Sequence, residues 1–241
     1  MRRIIEIVAI TLGGTVLLAM LGFYGWTRFS RYSAFDYAAS LAGEVETVEG
    51  WYAFEPEDEP VAGLVFYPGG LVDPAAYAPL MQRLSDGGVL AVIVSMPLDL
   101  AVFGIRRADE VIAAYPDVEH WAIGGHSLGG AMACEYVAAH PEVFDGLVLL
   151  ASYPAESTDL SATDVQTTLI YGTEDGVSGD VFEDSVARLP ADTVLVEICG
   201  GNHAQFGDYG PQKGDGTASV SREQQQRLTA ESILVLLERL R

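Results

Sequence analysis

The fold is decided by one short stretch, Gly124-Gly125-His126-Ser127-Leu128-Gly129-Gly130. An apolar run precedes it, and an Ala-rich segment with helical spacing, residues 128–139, follows it. A G-x-S-x-G pattern between a strand and a helix is typical of a sharp turn that exposes the serine hydroxyl above the end of the strand. Gly125 and Gly129 suit this turn, because side chains there would collide where the strand and the helix approach each other. The stretch therefore predicts an accessible Ser127 hydroxyl beside a helix N-terminus.

The rest of the chain alternates between strand-like and helix-like segments on both sides of this turn. Runs such as 91–94 and 147–150 are wholly apolar, which indicates parallel strands covered by helices on both faces. The pattern predicts a doubly wound α/β domain with a mostly parallel sheet and an antiparallel start. The predicted strands are 45–54, 61–67, 88–94, 120–124, 146–150, 167–171 and 193–198, and the predicted helices are 74–84, 106–114, 128–139, 181–189 and 222–240.

A serine hydroxyl is a weak nucleophile, so catalysis at Ser127 would need a histidine base and a carboxylate that orients it. His203 lies in a loop just past the last predicted strand, where its imidazole can reach over the edge of the sheet. The other histidines are placed less well: His120 opens a strand, His126 belongs to the turn itself, and His140 ends a helix. We therefore predict His203 as the base, with an ordinary surface-loop histidine as the alternative.

The predicted acid is Asp175, which follows the strand 167–171 and lies between Ser127 and His203 in the chain. The order serine, aspartate, histidine is the order that accompanies this kind of turn. Glu174 is the adjacent competitor, and a turn-forming aspartate before Gly176 is the alternative interpretation.

An acyl-transfer site also needs two backbone N–H groups that face the developing oxyanion. Leu128, directly after the serine, supplies the first. The early strand 64–67 runs into Pro68-Gly69-Gly70-Leu71, whose glycines allow backbone donors to face a ligand. We predict Gly70 as the second donor and Leu71 as the next choice, with an ordinary tight turn as the alternative.

Together these residues resemble the α/β-hydrolase superfamily, and within it the compact, dienelactone-hydrolase-like "fold-5" serine hydrolases. The resemblance rests on FYPGG followed by VDP, GGHSLGG, YGTEDG and GGNHAQFG, and spans about Val61 to Leu240. Two departures are that Pro68-Gly69 replaces the usual His-Gly of the oxyanion loop, and that Ser127 stands where dienelactone hydrolase has a cysteine. The second departure argues against the substrate of that enzyme.

The resemblance implies an acyl-enzyme mechanism on an ester, thioester or similar small acyl substrate. Ser127 would attack, His203 would transfer the proton, and Asp175 would orient His203, with no metal or organic cofactor. An acyltransferase with the same triad is the nearest alternative. A non-catalytic hydrolase-like binding protein is the alternative from another class, because this fold hosts unrelated functions.

Two further segments bear on the site. Only 16 residues separate the predicted strands that end at Leu150 and begin at Thr167, too few for a helical cap, so we predict an open site. The segment 206–216 is rich in turn residues. We predict that it walls one side of the pocket. Its Asp-Gly pairs make a cation site the alternative, but solvated turns are favoured because the spacing of an EF-hand loop is absent.

The N-terminal segment Ile4 to Trp26 is almost wholly apolar, broken only by Glu6. About twenty such residues suffice to cross a bilayer as a helix. A cleaved signal peptide is the alternative, but no small-x-small site follows Leu21. We predict a single-pass anchor at 1–27, a juxtamembrane segment at 28–43 and a catalytic domain at 44–241. A membrane-borne, lipid-derived substrate is consistent with this arrangement.

Orientation in the membrane depends on the flanking charges, which nearly balance. Arg2 and Arg3 precede the apolar run, while Arg28 and Arg31 follow it. Because the first pair leads the chain, we predict that the catalytic domain lies outside the cytoplasm.

The chain is strongly acidic, with 34 Asp and Glu against 13 Lys and Arg, and a net charge of -21. Such a chain lacks the basic face that nucleic acid requires. Lys213 is the only lysine, and the scattered carboxylates resemble adaptation to high salt, with an ordinary acidic surface as the alternative. Cys134 and Cys199 fit neither a zinc site nor a disulfide framework, and nothing in the sequence sets the oligomeric state.

Overall fold

A computed structural model describes residues 2–45, 47–48, 50–178 and 182–240. The chain divides into two units, residues 1–31 and 32–241. The first unit is the helix α1 (Arg2–Phe29), whose stretch Ile10–Phe29 has a mean hydropathy of 1.4. By length and composition α1 is able to cross a membrane, and a signal sequence near the N-terminus would share these properties.

The second unit is built on one sheet. Its strands, within the described residues, are β1 (Thr47–Val48), β2 (Trp51–Phe54), β3 (Ala62–Tyr67), β4 (Val89–Val94), β5 (Trp121–His126), β6 (Gly146–Leu150), β7 (Gln166–Gly172) and β8 (Val194–Ile198). The order across the sheet is β1-β2-β4-β3-β5-β6-β7-β8. Pairing is antiparallel from β1 through β2 to β4 and parallel from there to β8. The predicted α/β fold with an antiparallel start is confirmed.

Helices cover both faces of this sheet because side chains alternate along its buried strands. In β3, Leu64 and Phe66 belong to one apolar cluster and Val65 and Tyr67 to the other. The first cluster packs under α2 (Asp36–Glu44), α3 (Ala78–Asp86) and α7 (Arg222–Glu238). The second packs under α4 (Arg107–Ala114) and α5 (Leu128–Ala139), and α6 (Phe182–Val186) follows β7.

Three local features differ from the predicted elements. The predicted helix 181–189, whose first residue lies outside the described residues, is the shorter α6. The single predicted strand 45–54 is divided into β1 and β2, because Gly50 adopts a φ of +94° and turns the chain. The predicted helix 74–84 begins as a 3₁₀ turn, Pro74–Tyr77, before α3. The connection between β6 and β7 is described in full and contains no helix. This connection therefore places no helical cap over the carboxyl ends of the strands.

Candidate active site

Ser127 is the single residue between β5 and α5, and its backbone is strained. Its φ is 51° and its ψ is -122°, a conformation that residues other than glycine rarely adopt. The neighbouring strand holds it there, since the Ser127 N–H donates to the carbonyl of Leu150 at 3.0 Å. The Ser152 hydroxyl donates to the Ser127 carbonyl at 2.6 Å. The predicted sharp turn is therefore present and is fixed from both sides.

The two glycines of the motif are required by close backbone contacts. A Cβ atom at Gly129 would lie 2.1 Å from the carbonyl oxygen of Tyr67. A Cβ atom at Gly125 would lie 2.5 Å from the carbonyl carbon of Gly129. These distances are far inside van der Waals contact, so α5 reaches β5 and β3 only because both positions lack side chains.

His203 and Asp175 meet at the carboxyl ends of the strands. Asp175 follows β7, and His203 follows β8 and precedes a 3₁₀ turn, Ala204–Phe206. The His203 Nδ1–H donates to Asp175 Oδ2 at 2.9 Å, and the side chains are only 1% and 5% exposed. Because an ionised carboxylate is solely an acceptor, this bond assigns the proton to Nδ1 and leaves Nε2 able to accept one.

Ser127 and His203 line one cavity of about 190 Å³. Its other lining residues are Leu128, Ala131, Ala151, Ser152, Tyr153, Val177 and Ser178. The His203 Nε2 atom has no hydrogen-bond partner among the described residues, so no hydrogen bond joins it to Ser127 here. A catalytic serine–histidine bond is often long in a free enzyme and tightens in the complex with substrate. The fold thus brings the predicted nucleophile and base to the same cavity without a direct bond between them.

Asp175 is kept ionised by a dense set of donors. It accepts hydrogen bonds from the backbone N–H groups of Val177 at 2.8 Å and Ser178 at 3.0 Å, and from the Ser178 hydroxyl at 2.7 Å. Burial alone would raise the pKa of Asp175, but the bonds from His203 and Ser178 outweigh burial and hold it at about 2. The neighbouring Glu174 is exposed and its carboxylate contacts Thr173 instead, so geometry favours Asp175 as the partner of His203.

The predicted oxyanion donors also lie side by side. A Cβ atom at Gly70 would lie 3.0 Å from the Leu128 side chain, so the loop after β3 touches the start of α5. The N–H of Leu71 already donates to the carbonyl of Asp99 at 2.7 Å. No hydrogen-bond partner of the Gly70 N–H is found in the part of the chain that the structure describes. Of the two residues that sequence left open, the structure favours Gly70.

Sequence reasoning missed Tyr77, which connects the loop after β3 to the serine turn. Its fully buried hydroxyl accepts a hydrogen bond from the Gly69 N–H at 3.0 Å and lies 2.8 Å from His126 Nδ1. We assign the hydroxyl proton to the bond with His126 Nδ1, because among the described residues this atom is the one available acceptor beside the hydroxyl. Burial, and then the nearby His203, keep the pKa of His126 well below its usual value, which fits this neutral acceptor role.

No local pattern could have revealed this contact, because Tyr77 lies 8 residues from one partner and 49 from the other. The His126 ring also packs against the His203 ring, with centroids 4.5 Å apart. Tyr77 therefore supports the loop after β3 and also the His126 ring, against which the His203 ring packs.

A separate cavity of about 240 Å³ lies at the other end of the sheet, where residues 114–118 lead into β5. Its lining includes Glu55, Asp58, Tyr115 and Asp117, and it lacks a serine–histidine pair. Within the described residues, no group of three or more His, Cys, Asp or Glu side chains is arranged to hold a metal ion. Of these two cavities, the one lined by Ser127 and His203 is the one that brings a serine and a histidine together.

Comparison with known proteins places the chain in a family. A family model described as "Alpha/beta hydrolase family" matches residues 63–227, more than half of the chain, and the chain therefore belongs to the alpha/beta hydrolase family. A search of curated proteins found no match.

Solved structures share the fold at low identity. Est1E from Butyrivibrio proteoclasticus is 12% identical, with 78% of this chain and 93% of that chain covered and a TM-score of 0.60. The esterase domain of a Rhodothermus marinus protein is 13% identical, with coverages of 78% and 92% and a TM-score of 0.58. MenH from S. aureus is 13% identical, with coverages of 80% and 99% and a TM-score of 0.60. At such identities the similarity is one of fold.

We expect Tyr77→Phe to lower the free energy of unfolding by about 1–3 kcal/mol, because the Gly69 N–H and His126 Nδ1 lose their shared buried partner. Urea denaturation of the full-length chain in mild detergent, followed by tryptophan fluorescence, measures the change. Tyr37→Phe is the matched control: Tyr37 is 68% exposed, and its loss of a hydroxyl should cost less than about 0.5 kcal/mol. Equal stabilities of the two variants would contradict the bridging role of Tyr77.

The low pKa of Asp175 predicts a defined pH dependence of stability. A folded pKa of about 2, below the unfolded value of about 4, means that the ionised group stabilises the fold at neutral pH. This contribution should fade as the pH falls through that interval. The difference in unfolding free energy between wild type and Asp175→Asn should therefore narrow between about pH 4 and about pH 2.

Asp208→Asn is a control with the opposite sign. Burial raises the pKa of Asp208 despite its bond from Gln226, so ionisation of Asp208 disfavours the fold. The stability of wild type relative to Asp208→Asn should therefore fall as the pH rises through the titration of this carboxyl. A wild-type advantage over Asp175→Asn that stays constant with pH would contradict the assignment for Asp175.

Proposed function

We propose that the chain is a serine hydrolase that cleaves ester or related acyl bonds through an acyl-enzyme. Ser127 is the nucleophile, His203 the general base and acid, and Asp175 the residue that orients His203. The observation that carries this proposal is the buried His203–Asp175 pair, which shares a cavity with a serine on a strained strand-to-helix turn.

The first half-reaction follows from the protonation states. Asp175 accepts a hydrogen bond from the Nδ1–H group and stays ionised, so Nε2 takes the hydroxyl proton as Ser127 Oγ attacks the acyl carbon. The negative charge that forms on the acyl oxygen accepts hydrogen bonds from the N–H groups of Leu128 and Gly70. When the tetrahedral intermediate collapses, the bond to the leaving alcohol breaks, and the alcohol takes the proton from Nε2. An ester now joins the acyl group to Ser127.

The second half-reaction repeats these steps with water. Nε2 takes a proton from water as the water oxygen attacks the acyl carbon of the Ser127 ester. Collapse of the second intermediate releases the acid and returns the proton to Ser127 Oγ. No step needs a group beyond these side chains and backbone donors.

The cavity supports a short, uncharged acyl group as the substrate portion bound beside Ser127. Its volume is about 190 Å³, and Leu128, Ala131, Ala151 and Val177 give it apolar walls. The ionised Asp175 nearby and the net charge of -21 both disfavour an anionic substrate. The name of the Rhodothermus marinus esterase domain, whose fold is similar, supports an ester as the bond cleaved.

Labelling of the full-length chain by a fluorophosphonate probe tests the nucleophile. We expect wild type to be labelled and Ser127→Ala to lose the label completely, because the probe needs an activated serine oxygen. Ser161→Ala, in an exposed loop, is the matched control and should be labelled like wild type. Wild type that stays unlabelled across a range of salt concentrations, or label that persists in Ser127→Ala, would overturn the proposal.

Esters of p-nitrophenol with graded acyl chains then test the bond and the acyl group. The ratio kcat/KM should be highest for short chains and fall once the chain exceeds the cavity. A maximum at long chains would indicate a lipid-derived substrate instead. An increase in p-nitrophenol release on adding an alcohol, with formation of the new ester, would identify an acyltransferase.

We also propose that α1 anchors the protein in a membrane as a single span, with residues 32–241 outside the cytoplasm. Large apolar side chains along α1, such as Leu12, Leu18 and Leu21, are exposed. A lipid environment would cover them, and the exposed Tyr24 and Trp26 suit the interface.

The full chain should therefore stay with membranes after an alkaline carbonate wash. Leu18→Arg should reduce the membrane-bound fraction, because a charge near the middle of a span costs about 2.5–3.5 kcal/mol, while Leu18→Ala should leave it unchanged. Protease added to intact cells should digest the catalytic unit. A soluble chain that has lost its first residues would identify a signal peptide, and protection from protease would reverse the orientation.

A further inference from the structure

The turn-rich segment 206–216, for which the sequence predicts solvated turns that wall one side of the pocket, reaches back to the site. It leaves the 3₁₀ turn Ala204–Phe206 and returns towards β7 before α7 begins. Gly214, with a φ of +92°, turns the chain so that Asp215 points at the loops after β7 and β8. The two loops it meets are those that carry Asp175 and His203.

The half-buried Asp215 carboxylate accepts backbone hydrogen bonds from both loops. Its Oδ1 accepts from the N–H of His203 at 3.1 Å, and its Oδ2 accepts from the N–H of Ala204 at 2.8 Å. The same Oδ1 also accepts from the N–H of Gly176, the residue after Asp175, at 3.4 Å. Its own neighbour Gly216 donates to it at 2.9 Å. One side chain thus joins the residue that carries the base to the residue that follows the acid.

Backbone contacts confirm that these three segments fit closely. A Cβ atom at Gly176 would lie 2.4 Å from the carbonyl oxygen of Gly214, and one at Gly216 would lie 2.1 Å from the carbonyl oxygen of Glu174. Asn202, next to His203, donates its side-chain amide to the Gly216 carbonyl at 2.8 Å. The acid loop, the base loop and the turn 214–216 therefore form a single packed unit, which we call the loop clamp.

The clamp adds to two other constraints on the His203 ring: the ring packs against His126, and the Glu174 N–H donates to the Gly201 carbonyl at 2.8 Å. On its Nδ1 side the ring is bonded to Asp175, while Nε2 has no hydrogen-bond partner among the described residues. The 2.9 Å contact between Nδ1 and Asp175 Oδ2 thus depends on the distance between two loops. A hydrogen bond from an N–H to an ionised carboxylate is roughly twice as strong as one to a neutral acceptor, so a charged residue is well suited to fix that distance.

We propose that Asp215 is a positioning residue of the site: it holds the loops of Asp175 and His203 in the register that lets the two side chains act together. This inference rests on the proposed serine-hydrolase function. Asp215 is not among the residues that line the cavity, and it acts on the site through the backbone N–H groups of His203, which does line it, and Gly176.

The test compares Asp215→Ala and Asp215→Asn with wild type on a short p-nitrophenyl ester, with active sites counted by fluorophosphonate titration. We expect kcat per titrated serine to fall about 100-fold in Asp215→Ala, because small misplacements of a catalytic group cost about that much. Asp215→Asn keeps one oxygen acceptor and should fall about 10-fold. KM should change by less than about threefold, because the substrate contacts are untouched.

The matched control is Asp208→Asn, the same change of a half-buried carboxylate in the same segment. Asp208 bonds Gln226 and not the acid or base loops, so its kcat should stay within about twofold of wild type. Asp215→Ala with a kcat within about twofold of wild type would overturn the proposal, as would an equal loss in the control. If Asp215→Ala does not fold, Asp215→Asn takes its place, and a kcat of Asp215→Asn within about twofold of wild type would overturn the proposal.

Amide hydrogen exchange provides a readout that does not depend on activity. The N–H groups of His203, Ala204 and Gly176 should exchange faster in Asp215→Asn than in wild type, while amides of the central strands stay protected. Unchanged exchange at these three positions would refute the clamp even if the proposed hydrolase function failed its own test. If the fluorophosphonate probe does not label wild type, the proposed hydrolase function is refuted. The hydrogen-exchange result then still shows whether Asp215 holds the two loops together.

Discussion

The close approach of α5 to β5 and β3 is the constraint on which the rest of the site depends. The carbonyl oxygens of Tyr67 and Pro68 lie 2.1 and 2.4 Å from where a Cβ of Gly129 would stand, so the helix packs this closely only because residue 129 has no side chain. The chain must then pass from β5 to α5 through a single residue, and Ser127 takes a positive φ as a result. Strain at this residue is the cost of an exposed hydroxyl beside a helix N-terminus.

Parallel pairing brings the other groups to the same edge. Because β3, β5, β6, β7 and β8 run in one direction, the loops that follow them emerge together at their carboxyl ends. The loop after β3, Ser127, Asp175 and His203 are therefore neighbours in space although more than a hundred residues separate Gly70 from His203. The parallel sheet brings these loops close together, and side chains outside the strands fix the positions of the loops.

Two such side chains stand out, and both act on backbone N–H groups. Tyr77 bonds the N–H of Gly69 in the oxyanion loop, and Asp215 bonds the N–H groups of His203 and Gly176. In each case a polar side chain satisfies a donor that the turn would otherwise leave unpaired, so the loop gains a fixed position as well as a hydrogen bond. The proposed chemistry at Ser127 thus depends on residues that never face the cavity.

The sequence by itself determined the alternation of strands and helices, the serine turn and the order of the three candidate residues, because each depends on neighbours along the chain. Apolar periodicity indicates which faces are buried, and glycines flanking Ser127 indicate where a helix meets a strand. Only the tertiary structure bears on the choice between Glu174 and Asp175 and on the choice between Gly70 and Leu71. Those choices depend on which atom faces His203, and on whether Asp99, far along the chain, occupies a donor. Tyr77 and Asp215 emerged only there as well, since hydrogen bonds between distant segments leave no periodic or local trace in a sequence.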